Sequence, residues 1–322
     1  MDHQGCAGIA GPHRGTRPAG GARGVANGTH VPPVTYAGAT HHPRRPEGHE
    51  LVSSSLPEQP SDDVPPTLID RPPGAGVIAK CLALNAAAPP RGWLARVFGH
   101  SPLAADATSW YGGALGELAV GARLQGLNGD WTVLHSVPIG KHDTDIDHVI
   151  VGPTGVFTIN TKRHPGGRIW LGVHMLMING QKTDYLRKAR AEALQASRRL
   201  TAASGAPVTA TPIIVLVGAK AITVKQRPAD VVVLREEELV RWLQSKRRGP
   251  RVTPAPALLS IVGMPRTWHA NGAAAIETFD ASHNATFALL RRSVGRAAGV
   301  RAVWVFGVVV AALATSFGLL TG

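Results

Sequence analysis

Asp145-Ile146-Asp147-His148-Val149-Ile150-Val151-Gly152-Pro153-Thr154-Gly155-Val156-Phe157-Thr158-Ile159-Asn160-Thr161-Lys162 is the stretch from which the fold can be read. Two apolar runs flank Gly152-Pro153-Thr154-Gly155. Pro at the second position and Gly at the fourth fit a type I turn, so the stretch reads as a β-hairpin. Side chains alternate along a strand, which puts Asp145 and Asp147 on one face of the first strand. Asn160 and Lys162 share one face of the second. If the two strands pair, Asp147 and the Asn160/Lys162 pair converge at one end of the hairpin.

On the N-terminal side, Thr108 or Ser109 can cap a helix running to about Gln125, with Glu117 on it, and a strand follows at Trp131–Ile139. On the other side a strand is expected at Arg168–Val173. A helix then spans about Asp184 to Ala203, because Leu186, Ala189, Ala193, Ala196, Leu200 and Ala203 recur at intervals of three and four. Gly205 and Pro207 end it. Ile213–Val217 and Val231–Leu234 are continuous apolar runs, the pattern of strands buried on both faces. Glu236–Gln244 makes a last helix before Lys246-Arg247-Arg248. The order gives a mixed α/β domain over residues 108–248.

The flanks read differently. Residues 1–75 hold 12 Pro and 11 Gly, with Tyr36 as the one aromatic, and are expected to be a disordered tail. Met1-Asp2-His3-Gln4-Gly5 does not open a secretory signal. Residues 76–107 read as a short helical lead-in, and 249–301 as a linker with a helix at Asn284–Ser293. Ala302–Leu320 carries no charge, and its polar side chains are Thr315 and Ser316. As a helix it is about 28 Å long, close to the hydrocarbon thickness of a bilayer. Arg291, Arg292, Arg296 and Arg301 precede it, so the expectation is a single-pass cell-membrane protein with the α/β domain in the cytoplasm.

Composition narrows the chemistry. The 322 residues include two cysteines, Cys6 and Cys81, which excludes a disulfide framework and a Cys-rich zinc module. The histidines show no zinc-site spacing. The formal net charge is +13, and residues 108–250 alone hold 19 Lys and Arg against 11 Asp and Glu. Such an excess favours polyanions or anionic lipid as partners. Arg187, Lys188, Arg198 and Arg199 on the 184–203 helix are the candidate nucleic-acid contacts. At the hairpin end, a carboxylate, a neighbouring amide oxygen and a lysine form a set suited to Mg²⁺ and its bound water. A solvated strand end with ordinary ion pairs would use the same residues.

Gly113-Ala114-Leu115-Gly116-Glu117, Asp145 to Val151, Gly155 to Lys162 and Gly166-Gly167, in that order, resemble the nuclease-related domain (NERD). This is a branch of the PD-(D/E)xK restriction-endonuclease-like superfamily, and the resemblance covers about Trp110 to Leu243. It implies a restriction-endonuclease-like αβββαβ core with a mixed sheet, and metal-dependent hydrolysis of DNA phosphodiester bonds with Mg²⁺ or Mn²⁺. By position, Asp147 matches the metal-binding Asp, Lys162 the motif Lys and Glu117 the helical Glu. Gln195 sits where related nucleases carry a helical Gln. Asn160 stands where the superfamily motif has Asp or Glu and offers a carbonyl oxygen without charge. The resemblance thus implies Glu117, Asp147 and Asn160 as metal ligands and, with Lys162, as the catalytic set. The alternative is a catalytically inactive nucleic-acid-binding or protein-interaction module tethered to the membrane.

Overall fold

The computed structural model describes residues 67–139, 145–245, 254–270 and 281–321. Helices α1 (Ala75–Ala86), α2 (Trp93–Val97) and α3 (Thr108–Leu124) lead into strands β1 (Thr132–Pro138), β2 (Asp145–Gly152) and β3 (Gly155–Arg163). Three short strands follow: β4 (Arg168–Leu171), β5 (Leu176–Ile178) and β6 (Gln181–Thr183). Next come α4 (Tyr185–Ser204), β7 (Ala210–Val217), β8 (Ala221–Val224), β9 (Val232–Arg235) and α5 (Leu239–Leu243). Helices α6 (Pro256–Val262), α7 (Pro265–Trp268) and α8 (Ala281–Thr321) complete the described chain.

The expected hairpin forms. β2 and β3 pair antiparallel from Gly152↔Gly155 to His148↔Ile159, and β1 pairs antiparallel with the far side of β2. Gly152 is required at the turn, since a Cβ there would lie 2.1 Å from a ring carbon of Trp131. Beyond the hairpin β3 pairs in parallel with β7, and β7 with β9, giving a mixed sheet in the order β1-β2-β3-β7-β9. This is the α/β architecture with a mixed sheet that the sequence implied.

Both faces of the sheet are covered. On one, Val120 and Leu124 of α3 and Leu239 and Leu243 of α5 pack on Ile150, Phe157, Ile159, Ile213 and Val215. On the other, Ala193, Ala196 and Leu200 of α4 pack against Val149, Val151 and Val156. The stripe expected on α4 is buried from Leu186 to Leu200, with Ala203 at its end exposed, and Gly205 ends the helix in a left-handed conformation, φ 71°.

A second sheet, β6-β5-β4-β8, was not expected apart from β4. Its strands are three or four residues long, too short for a period to declare itself. β5 and β6 are joined through Asn179-Gly180, both at positive φ, which is the two-residue hairpin signature.

The flanks are more involved than their composition suggests. Of the expected tail, residues 1–66 lie outside the described residues, but Leu68 is fully buried and its N–H donates to Gly263 O at 2.8 Å. Within the stretch expected as a linker, Leu258, Val262 and Trp268 join the α4-side core. Pro256 and Pro265 stand in the first turns of α6 and α7, where proline favours a helix start rather than a break. The expected helix at Asn284–Ser293 is part of α8, a single 41-residue helix. Its first turns pack Phe287 and Leu290 against Ile78, Cys81 and Ala114. Its later turns expose Val303, Phe306, Leu313 and Phe317. Among the described residues α8 is the one helix long and apolar enough to cross a membrane.

Candidate functional site

The site forms where β2 and β3 stop pairing. Their ladder ends at His148↔Ile159, and the next residue, Asp147, turns its carboxylate to accept the Thr161 N–H at 2.5 Å. β1 is irregular at the same level. His135 faces His148 and Val137 faces Ile146, so Ser136 stands opposite Asp147, with a left-handed φ of 48°. A non-glycine residue held there costs about 1–2 kcal/mol. Strand ends splayed in this way let groups from both faces of the sheet reach one another.

Four acidic or amide side chains gather there. Glu117 comes from α3 and is nearly fully buried; Asp147 comes from β2 and is half-buried. Asn160, buried on β3, donates from Nδ2 to both carboxylate oxygens of Glu192 on α4, each at 2.7 Å. Its Oδ1 is buried with no hydrogen-bond partner. Glu192 follows from the register of α4: with Ala189, Ala193 and Ala196 on the sheet, the residue before Ala193 overhangs β3 at the Asn160 level.

The carboxyls of the cluster repel one another and are offset by nearby cations. Burial pushes the Glu117 carboxyl well above the usual range, and the Asp147 and Asp145 charges add to the rise. Burial also raises Asp147, against Lys162 and the hydrogen bond from the Thr161 N–H. Glu192 is pushed up to about 7, chiefly by burial, with the Asn160 hydrogen bond opposing and Asp147 adding. The Lys162 ammonium pulls all three carboxyls down, so it lies within electrostatic reach of each. It also sits 5.1 Å from the centre of the Tyr185 ring, whose hydroxyl lies 3.1 Å from His164 Nε2. That cation–π contact limits where the ammonium can go.

The structure therefore brings Glu117, Asp147, Asn160 and Lys162 together. Gln195 is elsewhere, donating to Ile139 O at 2.5 Å, and the helical residue at the cluster is Glu192, three positions earlier. Arg71 is a further addition. Nearly fully buried, it lies 3.8 Å from Asp145 and draws the Glu117 carboxyl down. Neither Glu192 nor Arg71 carried a signal in the sequence beyond being charged.

The four basic candidates on α4 do not make one patch. Arg187 and Lys188 are exposed and share Asp184, at 2.8 and 3.3 Å. Arg198 is exposed, whereas Arg199 donates to Ile139 O at 2.9 Å. Eleven positions separate the first from the second-to-last of them, roughly 16 Å along the helix. Lys188 alone of the four is among the charges that lower the Glu192 carboxyl.

Residues 112–217 match the nuclease-related domain, NERD. The match begins inside α3 and ends on the last residue of β7, and so contains all of the cluster except Arg71. No curated protein and no solved structure matches the chain.

Proposed function

Taking residues 112–217 as a nuclease-related domain, we propose that the chain is a membrane-anchored, metal-dependent nuclease acting on DNA phosphodiester bonds. The observation that carries this reading is the buried, partnerless Oδ1 of Asn160, whose Nδ2 donates to Glu192 within electrostatic reach of Asp147 and Lys162. A buried polar atom without a partner is uncommon and asks for a ligand. The surrounding donors are all oxygens, which suits Mg²⁺ or Mn²⁺. Among the described residues no three His, Cys, Asp or Glu side chains are already grouped to hold a metal, so the amide oxygen and water would complete the shell.

In this reading Asp147 and Asn160 Oδ1 would hold the cation, with Glu117 supporting from α3. When bound, the cation would neutralise charge on the phosphate and lower the pKa of a bound water. Glu192 supplies the carboxylate that the Asn160 position lacks. With its pKa near 7 it is suited to take the proton of the attacking water. Lys162, set by Tyr185, stabilises the negative charge that develops on the phosphate. Lys188 and, farther along α4, Arg198 are separate contacts to the DNA backbone. The α8 segment from Ala302 spans the membrane, and Arg291, Arg292, Arg296 and Arg301 keep the domain on the cytoplasmic side.

The direct test is nicking of supercoiled plasmid by the full chain with Mg²⁺ or Mn²⁺, beside Lys162→Ala. Metal-dependent nicking lost in the variant supports the enzyme. Salt-sensitive DNA binding without nicking in either protein would select the inactive-module reading.

A second expected result concerns pH. Glu192 is raised in the folded protein, so between the ordinary carboxylate range and about 7 the folded state binds more protons than the unfolded chain. Its contribution to stability therefore falls as pH rises through that window. His135 and His148, both lowered by burial, act in the opposite sense below their ordinary value of 6.5. The readout is accordingly a difference. Without metal, the melting temperature of Glu192→Gln should decline less than that of the wild type between about pH 6 and 8. Equal declines would remove Glu192 from the cluster's charge balance.

A further inference from the structure

Helix α2 and the residue after it expose four large apolar side chains: Trp93 is 71% exposed, Leu94 51%, Val97 45% and Phe98 47%. Five residues are too few for a helix to hold itself, so its position is set by its neighbours. Gly99 follows at φ +67°, and a Cβ there would stand 2.5 Å from Arg301 N and 2.6 Å from Ala297 O. The turn is thus seated directly on the backbone of α8. The Trp304 indole donates to Val97 O at 2.8 Å, and the Phe98 and Trp304 rings are 5.3 Å apart.

These contacts all fall between residues 297 and 304, where the charged part of α8 ends at Arg301 and its uncharged stretch begins. α2 therefore lies within a turn of the level at which α8 becomes apolar. Clustered exposed apolar side chains mark an interaction surface. Trp and Phe beside exposed Arg96, Arg296 and Arg301 is the composition that settles at an anionic lipid interface.

We infer that α2 is a second membrane contact, an interfacial foot. Trp93, Leu94, Val97 and Phe98 enter the headgroup boundary of an anionic bilayer next to the first turn of the span. The inference rests on the reading of α8 as a membrane span. A lone span leaves its domain free to swivel. A second contact locked to α8 through Gly99 and Trp304 holds the domain, and its site, in one orientation above the surface.

The test uses the full chain with Cys6→Ser, the buried Cys81 retained, and an environment-sensitive fluorophore on Leu94→Cys, Leu194→Cys or Val310→Cys. Each protein is reconstituted into phosphatidylcholine–phosphatidylglycerol vesicles and quenched with iodide. Leu194 is exposed on α4 and reports water; Val310 reports the span. Quenching at position 94 should be at least about five-fold weaker than at 194 and close to that at 310. If 94 is quenched like 194 while 310 stays protected, the span stands and the foot is overturned. If 310 is quenched as well, the span reading fails and takes the foot with it.

Discussion

Asp147→Asn should abolish metal-dependent nicking, with a loss of at least about 10²–10³-fold, while leaving the fold intact. The substituted amide keeps an oxygen able to accept the Thr161 N–H, so the splayed end of β2 retains its anchor. What disappears is the charge at the one place where β2, β3 and α3 converge. A divalent cation among Glu117, Asn160 and Glu192 would lose its principal ligand, and isothermal titration with Mn²⁺ should register this directly. Asp145→Asn is the matched control. Asp145 lies 3.8 Å from Arg71 and against Gly76, and so belongs to the α1 side of the strand. Its substitution should lower nicking far less. Equal losses in the two variants would mean that overall negative charge, not a ligand at Asp147, is what the activity senses.

Trp268→Ala should destabilise the domain by about 3–5 kcal/mol, the range for removing a large buried aromatic. Trp268 has no exposed surface, and its indole donates to Val262 O at 2.7 Å. It shares a cluster with Leu68, Val149 and Ala196, elements distant in sequence. Removing it opens a cavity beneath the sheet and strands the Val262 carbonyl. Chemical denaturation of the full chain in detergent reads the effect. A change below about 1 kcal/mol would place residues 254–270 outside the cooperative unit.

What the sequence disclosed and what it withheld divide along the range of the interactions. The hairpin was legible because Gly152-Pro153-Thr154-Gly155 and strand alternation are local signals. The convergence of Asp147 with Asn160 and Lys162 follows from that alternation once the strands pair. The apolar stripe of α4 was legible for the same reason. Glu192 was not, because it borders the stripe and reads as solvated surface until α4 is laid across β3. Gln195, which the resemblance aligned with a helical Gln of related nucleases, instead holds the end of β1. Arg71 was hidden by the Pro- and Gly-rich composition around it; its burial depends on elements far along the chain. Residues 249–301 read as a linker, yet Pro256 and Pro265 open helices, because composition cannot tell a helix start from a helix stop.

The bond between the segment at Leu68 and Gly263 has a kinetic consequence. The neighbouring Thr67 hydroxyl donates to the same carbonyl across 196 residues of chain. Contacts of such separation raise the contact order and slow folding, because the intervening loop must close first. During synthesis the α4-side core stays open until α6 and α7 emerge, and they emerge shortly before the apolar part of α8. The chain therefore presents two apolar surfaces at nearly the same moment, one that must be shut by folding and one that, as the proposed span, would need a bilayer. At about 5–20 residues per second that overlap lasts a few seconds, an interval in which a holding chaperone would raise the yield of folded protein more than any change at the Asp147–Asn160 cluster.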